Sequence, residues 1–297
     1  MAVKTSKAKR ASKQAIDKFE WLTDRFISLI EHGVNPWRKE WRVNGSGAIM
    51  NFVTGHAYSG RNPLILQIDT MCRGSSQAYY CGASQGFAKG WNIKKGSKAA
   101  YVTYANTVVK EGADGEDDKV IPFVKWSAVF HIDDWDDSQS DHKIVDCLPE
   151  AKEPLNQDDR LQAVDEFIKG TGANILTQGS QPCYIPSKDT ILMPAWEDFT
   201  GAEAYYATEL HELTHWTGHA SRCNRNLEGS FGTQKYAKEE LIAEMGAALL
   251  CQHFGISSDL ENHASYIKGW LQRAKEDPKF LFKSMGEARK AYEMLMA

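Results

Sequence analysis

The stretch that decides the fold is AEAYYATELHELTHWTG at residues 202–218, a segment without proline that contains His211-Glu212-Leu213-Thr214-His215. Its composition predicts a helix, and side chains four residues apart lie on one face of a helix. Both imidazoles can therefore reach one metal ion at about 2.1 Å. Glu212 lies beside that face, where its carboxylate can act as general base on a water molecule bound to the metal.

A second segment, Tyr236–Cys251, has a helical pattern with two acids one turn apart, Glu240 and Glu244. One acid can supply the third ligand while the other accepts a hydrogen bond from a histidine ring. In metallopeptidases with the pattern ExxA[DE] the first acid binds the metal. This favours Glu240 as ligand and Glu244 as acceptor, and the reverse assignment stays open. Because an unpaired buried carboxylate is costly, the apolar neighbours of both acids favour a cation nearby.

Two histidines and one carboxylate with an open position are typical of zinc, and manganese or iron would accept the same ligands. We therefore predict Zn²⁺, with Mn²⁺ or another divalent ion as the alternative. His219 follows His215 by four residues, and we interpret it as the helix exit, where a cationic ring is favourable without a metal. For Tyr205 and Tyr206, core packing is favoured over stabilisation of an oxyanion.

Length and composition indicate a soluble globular protein of two domains, with 297 residues, 42% of them apolar and 25% charged. No apolar run approaches the roughly 20 residues that a membrane helix needs. The N-terminus lacks the apolar core of a secretory signal, and the six cysteines include no Cys-x-x-Cys pair. We expect a cytoplasmic protein with free thiols and no membrane partner.

The net charge of −4 conceals an uneven distribution. Residues 1–110 hold 17 Lys and Arg against 6 Asp and Glu, whereas residues 111–297 hold 18 against 33. A basic half beside an acidic half indicates contact with nucleic acid, because phosphate neutralisation releases counterions. A merely solvated basic face is the alternative.

Changes of pattern along the chain predict an α+β protein with two domains. Residues 1–13 carry five basic residues and no acids, and we expect a flexible arm there. The pattern predicts an α+β domain at residues 14–135 and a polar linker at residues 136–156. It predicts a mainly helical domain with a small sheet at residues 157–297.

Within these domains, several elements have clear bounds. Apolar residues recur with helical spacing from Ile16 to about Ile30, and Gly33 ends the pattern. The β-rich runs Ala100–Val109 and Val120–Phe130 predict a hairpin, and residues 158–169 predict another helix.

Aromatic and basic side chains alternate in the first domain, which suits single-stranded nucleic acid. Aromatic faces stack on unpaired bases while Lys and Arg follow the phosphates. Packing in the core is the alternative for each Trp and Tyr. The candidate DNA-binding residues are Trp37, Arg38, Lys39, Trp41, Asn51, Tyr58, Arg61, Asn62, Lys89, Trp91, Lys94 and Lys95.

Together these stretches resemble the ArdC-type antirestriction proteins, a family encoded on conjugative plasmids. The resemblance covers nearly the whole chain and rests on residues 33–37, 51–62, 90–96, 211–219 and 236–244. It implies a single-stranded-DNA-binding domain followed by a zincin-like metallopeptidase domain. It also implies protection of incoming plasmid DNA from host type I or type II restriction.

The resemblance implies single-stranded DNA as a partner. A protein substrate, such as a restriction-system subunit, is a possible second partner. One departure from the family is Gln181–Pro186, where relatives tend to have Ala-Tyr-Tyr before the proline. If that strand lines the cleft, the change could alter what is cleaved. The alternative function is a protective DNA-binding protein whose metal is structural or vestigial and which cleaves nothing.

Overall fold

The computed structural model describes residues 17–37, 48–110, 119–148, 156–227, 233–257 and 264–297. In the first half the elements are α1 (Lys18–Glu31), β1 (Met50–Asn51), α2 (Asn62–Cys72), β2 (Tyr79–Gly82), α3 (Ala83–Ala88), β3 (Asn92–Ile93), β4 (Ala100–Lys110), β5 (Lys119–His131) and β6 (Trp135–Asp136). In the second half they are α4 (Gln157–Gly170), β7 (Asn174–Thr177), β8 (Cys183–Ile185), β9 (Thr190–Met193), α5 (Ala202–Trp216), α6 (Gln234–Phe254), α7 (Ala264–Glu276) and α8 (Phe280–Leu295). The predicted two-domain α+β class is confirmed. Within these ranges, no helix combines the length and the apolar character needed to cross a membrane.

The predicted N-terminal helix is confirmed as α1. Its start is fixed by Asp17, whose carboxylate accepts hydrogen bonds from the backbone N–H groups of Phe19 at 2.8 Å and Glu20 at 3.3 Å. Such an acceptor satisfies amide groups that have no partner inside the helix. Gly33 follows the helix end with a φ of 75°, a conformation that glycine adopts without steric cost.

The predicted hairpin is confirmed as β4 and β5, which pair antiparallel from Ala100 with Val129 to Lys110 with Lys119. Strand β2 continues the sheet, and β1 joins β2 in parallel, giving the order β1-β2-β5-β4. Asn62 covers part of the free edge of β4. Its side chain accepts the N–H of Thr103 at 2.7 Å and donates to the Thr103 carbonyl oxygen at 3.0 Å.

The two halves share one hydrophobic core. Phe26 of α1 and Ile65 of α2 belong to the same buried cluster as Leu241 of α6, Trp270 of α7 and Met285 of α8. Amphipathic helices from both halves therefore bury their apolar faces against each other, which is the main stabilising contribution to helix packing. The halves are joined by packing as well as by the chain.

The segment predicted as a linker divides into two parts. Residues 136–148 pack onto the first half, where Trp91 Nε1 donates to the His142 carbonyl oxygen at 2.6 Å and Ile144 contacts the Trp91 cluster. Residues 149–155, like the predicted arm at 1–13, lie outside the described residues. The domain boundaries stay predictions.

The second half packs a small sheet and α4 around α5. The sheet has the order β7-β9-β8, with β7 parallel and β8 antiparallel to β9. Val164 of α4, Ile191 of β9 and Leu210 and Leu213 of α5 lie in one buried cluster. This leaves the opposite side of α5 to face α6.

We expect the contact between α5 and α6 to be intolerant of added volume. A Cβ atom at Gly246 would lie 2.4 Å from Thr214 Cγ2, so Gly246→Ala should lower the free energy of unfolding by about 1–3 kcal/mol through overpacking. Urea denaturation measures this. A matched control is Gly170→Ala at the end of α4, where a Cβ would meet nothing within 4 Å. Equal stability of the two variants would contradict the close contact.

Candidate metal centre

Helix α5 holds the two histidines of the HExxH sequence side by side. His211 and His215 lie one turn apart, and their Nε2 atoms are 3.2 Å from each other. Each side chain is 12% exposed. The apolar residues Leu210 and Leu213 anchor the opposite side of the helix in the core, which directs both rings toward α6.

Helix α6 brings Glu240 to the two rings. Its Oε2 lies 3.4 Å from His211 Nε2, and its Oε1 lies 3.5 Å from His215 Nε2. Among the residues that the structure describes, these three form a group whose potential ligand atoms all lie within 4.8 Å of one another. The side chain of Glu240 is 8% exposed, so all three groups are largely shielded from water.

The spacing of these atoms fits a divalent ion. When metal bonds are about 2.0–2.1 Å long, a tetrahedral arrangement separates neighbouring ligand atoms by about 3.3 Å. The two Nε2 atoms are 3.2 Å apart, and each Glu240 oxygen lies close to one ring, Oε2 at 3.4 Å from His211 Nε2 and Oε1 at 3.5 Å from His215 Nε2. One potential ligand atom from each of the three residues can be chosen so that all lie within 4.8 Å of one another. Two imidazole nitrogens and one carboxylate oxygen are also a donor set that zinc and manganese accept.

Each histidine has a carboxylate behind its second ring nitrogen. Glu244 Oε1 lies 3.8 Å from His211 Nδ1, a buried nitrogen without a hydrogen-bond partner. Glu239 Oε1 lies 3.2 Å from His215 Nδ1. Carboxylates in this position fix the tautomer and orientation of metal-binding histidines. Of the two predicted acids, Glu240 lies near the Nε2 atoms of both rings, and Glu244 lies near Nδ1 of His211.

Sequence reasoning missed Glu239 and Arg225. The buried Arg225 guanidinium donates to Glu239 Oε1 at 2.8 Å, to Thr217 Oγ1 at 2.7 Å and to the Thr214 carbonyl oxygen at 2.7 Å. It therefore ties the end of α5 to α6 beside His215. The adjacent acids Glu239 and Glu240 in a largely apolar helix were the available signal for Glu239. Nothing in the sequence singles out Arg225.

The electrostatics of the site favour positive charge. Burial lowers the pKa of His211, but its hydrogen bond to Glu240 and the charges of Glu244 and Glu212 raise the pKa to about 9. Burial raises the pKa of Glu240, yet the hydrogen bond to His211 and the charge of His215 bring it down to about 2. Burial raises the pKa of Glu244 to about 7. A cation among these acids would replace the charge that protonated imidazoles otherwise provide.

The remaining candidates of this region lie around the centre. Glu212 is buried beside His211, with 6% of its surface exposed. His219 lies beyond the end of α5, where its ring contacts Ser221 Oγ at 2.8 Å. Tyr205 and Tyr206 pack against Trp196, with ring centroids 4.9 and 5.8 Å away.

The segment that departs from the family pattern, Gln181–Pro186, contains strand β8, which contacts α5. Burial raises the pKa of the Cys183 thiol on this strand, and the charge of Glu212 raises it further. The strand therefore lies next to the candidate base.

Several predicted DNA-binding residues lie in the core. Trp37 and Trp91 are each 1% exposed, so neither ring can stack on a base in this conformation. Asn62 is buried and bonded to Thr103, as described above. The physical reason is that both indoles fill apolar clusters, Trp37 with Phe26 and Trp91 with Phe52.

The other DNA-binding candidates lie nearer the surface. Lys94 and Lys95 are exposed, and Lys89, Asn51, Tyr58 and Arg61 are partly exposed. The side-chain amide of Asn51 donates a hydrogen bond to Gln85 Oε1 at 3.0 Å. The Oδ1 atom of Asn51 accepts a hydrogen bond from the backbone N–H of Val53 at 3.1 Å. Arg38, Lys39 and Trp41 lie outside the described residues.

We expect Glu239→Gln to weaken metal binding without unfolding the protein. The neutral amide is a poorer acceptor for His215 and a poorer partner for Arg225, so the affinity for Mn²⁺ or Zn²⁺ should fall about 10–100-fold. Competition with a chromophoric chelator measures the affinity, and circular dichroism checks the fold. Glu276→Gln, an exposed change on α7, is the control. An affinity equal to that of the control would contradict the role of Glu239.

Comparison with known proteins agrees with this architecture. Residues 16–130 match the family model of the N-terminal domain of anti-restriction factor ArdC, and residues 162–287 match a zincin-like metallopeptidase model. Crystal structures of the antirestriction protein ArdC from plasmid R388, one metal-free and one with Mn(II) bound, are 34% identical. They superpose with a TM-score of 0.73 over 95% of this chain and 97% of theirs.

Relatives of known sequence extend the comparison. An uncharacterised protein, y4eC, from Sinorhizobium fredii is 30% identical over 94% of its length. Two forms of the DNA primase TraC from Escherichia coli are 31% identical over 94% of this chain, which spans only 20% and 27% of their length. The Mn(II)-bound relative and the zincin-like match agree with a divalent ion at the candidate centre. The chain belongs to the ArdC antirestriction family, with an ArdC N-terminal domain and a zincin-like domain.

Proposed function

We propose that this protein binds single-stranded DNA that enters a recipient cell and protects it from host restriction with the help of a metal-dependent peptidase. In this proposal the peptidase acts on a protein substrate such as a restriction-system subunit. His211, His215 and Glu240 hold the ion, Zn²⁺ or Mn²⁺, and Glu212 acts as general base. The observation that carries the proposal is the convergence of these three ligands beside a buried acid.

The chemistry of such a site is peptide hydrolysis. A divalent ion in this position supplies a Lewis acid, which polarises a carbonyl group and lowers the pKa of a coordinated water molecule. Glu212 takes a proton from the attacking water molecule while the oxygen of that water bonds to the carbonyl carbon of the peptide. The carbon–nitrogen bond then breaks, and Glu212 returns the proton to the leaving amine. Glu239 orients the His215 ring through Nδ1 at 3.2 Å, and the Glu244 carboxylate faces His211 Nδ1 at 3.8 Å.

Binding of DNA is supported by the charge of the first half. Residues 1–110 carry 17 Lys and Arg against 6 Asp and Glu, and Lys94 and Lys95 are exposed. Flexible single strands allow many arrangements of phosphates on such a surface, so binding needs no base-specific contact.

One observation favours a second candidate, a protective DNA-binding protein with a structural metal. The ligand side chains are only 12% and 8% exposed, which limits the approach of a protein substrate to the ion. In that case the ion stabilises the second half, and protection depends on the DNA-binding surface alone.

A plasmid-transfer assay into a restricting recipient separates the two candidates. If peptidase activity is needed, Glu212→Gln should lose protection, because removing a general base lowers a rate by about 10²–10⁴-fold. The matched control is Glu209→Gln on the same helix, a buried acid whose pKa is raised to about 7 by burial and the charge of Asp165. If Glu212→Gln protects the plasmid fully, peptidase activity is not needed, and the DNA-binding protein with a structural metal is the function that fits.

We also expect DNA binding to weaken steeply with salt. Each phosphate contact of a single strand contributes about −0.7 to the slope of log affinity against log salt. The double variant Lys94→Glu, Lys95→Glu should bind a labelled thymidine oligonucleotide about tenfold or more weakly than the parent, with a shallower slope. Fluorescence anisotropy measures both quantities. The double variant Lys268→Glu, Lys275→Glu, which makes two exposed changes on α7, has the same net charge and is the control. Binding that is insensitive to salt would contradict the electrostatic basis of the proposal.

A further inference from the structure

Two arginines meet where the first half touches α8. The Arg61 guanidinium lies 4.7 Å from the centroid of the Phe282 ring and against Gly286, where a Cβ would be 2.3 Å from Arg61 Nη2. In return, Arg289 lies against Gly60, where a Cβ would be 3.6 Å from its guanidinium carbon. Each arginine therefore packs on a glycine of the opposite half. We refer to Arg61 and Arg289 as the arginine pair.

The charges around the arginine pair leave positive charge in excess. The Glu293 carboxylate accepts a hydrogen bond from Arg289 Nε at 2.6 Å. The Glu287 carboxylate forms an ion pair with Lys290 Nζ at 3.0 Å. Arg61 Nε is buried and has no hydrogen-bond partner. The Lys290–Glu287 pair and the Arg289–Glu293 pair are each neutral, so Arg61 is the cation left in excess among the described residues, and that excess matches one monovalent anion.

The proximity of two like charges has a free-energy cost that an anion would remove. Burial lowers the pKa of Arg61, and the positive charge of Arg289 lowers it further. Guanidinium groups bind phosphate oxygens through pairs of N–H donors, which a phosphodiester with its two free oxygens can accept. The Arg289 side chain is 35% exposed, so an anion can reach it from solvent.

We propose that Arg61 and Arg289 together bind one phosphodiester group of single-stranded DNA, so that the DNA contacts both halves of the protein. The inference rests on the proposed function, which names single-stranded DNA as partner. It adds a contact in α8, outside the domain to which DNA binding is otherwise assigned. A phosphodiester fits better than a carboxylate side chain because one tetrahedral group can face two guanidinium planes.

The test compares neighbouring residues of α8 by fluorescence anisotropy with a labelled 20-nucleotide oligothymidine and the full chain. Arg289→Gln should weaken binding about tenfold at low salt and reduce the salt slope by about 0.7, because one phosphate contact is lost. Lys290→Gln removes an adjacent charge whose side chain is 61% exposed and should change the affinity less than about twofold.

A conservative variant separates the contact from a change in folding. Arg289→Lys keeps the charge but loses the paired donors, so its affinity should lie between those of the parent and Arg289→Gln, with the salt slope of the parent. Thermal unfolding of each variant checks that it is folded. If Arg289→Gln binds with the affinity and slope of Lys290→Gln, the inference is overturned while the proposed function stands. If the parent protein binds no oligothymidine at low salt, the proposed DNA binding fails and the inference fails with it.

Discussion

The close contact between α5 and α6 is the constraint on which the metal centre depends. Neither helix carries enough ligands alone, since α5 brings two imidazoles and α6 brings the carboxylate. Gly246 faces Thr214 without a side chain, so the helices approach until Glu240 lies 3.4 and 3.5 Å from the two rings. Arg225 then joins the end of α5 to α6 through Glu239. Helix packing and ligand geometry are therefore set by the same interface.

That interface is supported from the first half of the chain. The outer side of α6 packs in a core that also contains α1, α2, α7 and α8, so the position of Glu240 depends on residues far from it in sequence. Met285 of α8 and Met245 of α6 lie in this core, and α8 also carries Arg289. A ligand that draws the first half against α8 would act on a helix that supports the metal centre. The shared core gives the two halves a physical connection that a linker could not give.

The parts of the site that could be predicted from sequence are those encoded within one helix. The spacing of His211 and His215 and of the two acids in α6 gives ligand positions because a helix has a fixed period. The contact between Arg225 and Glu239 joins separate segments, and no local pattern indicates it. The same limit applies to Trp37, because an indole beside basic residues has the same local sequence whether it stacks on a base or fills a core. Only the packing of distant helices decides its burial.

The concentration of acids links ion binding to the stability of the second half. Glu212, Glu240 and Glu244 lie around His211, whose pKa is raised from 6.5 to about 9. Because the folded-state pKa is the higher one, this histidine contributes stability that is fully present below about pH 6.5 and is lost as the pH rises through about 9. A bound divalent ion would replace that proton, and any ligand that binds only the folded state stabilises it. The acids that would destabilise an empty centre at high pH are thus the groups that would favour binding of a cation to the folded protein.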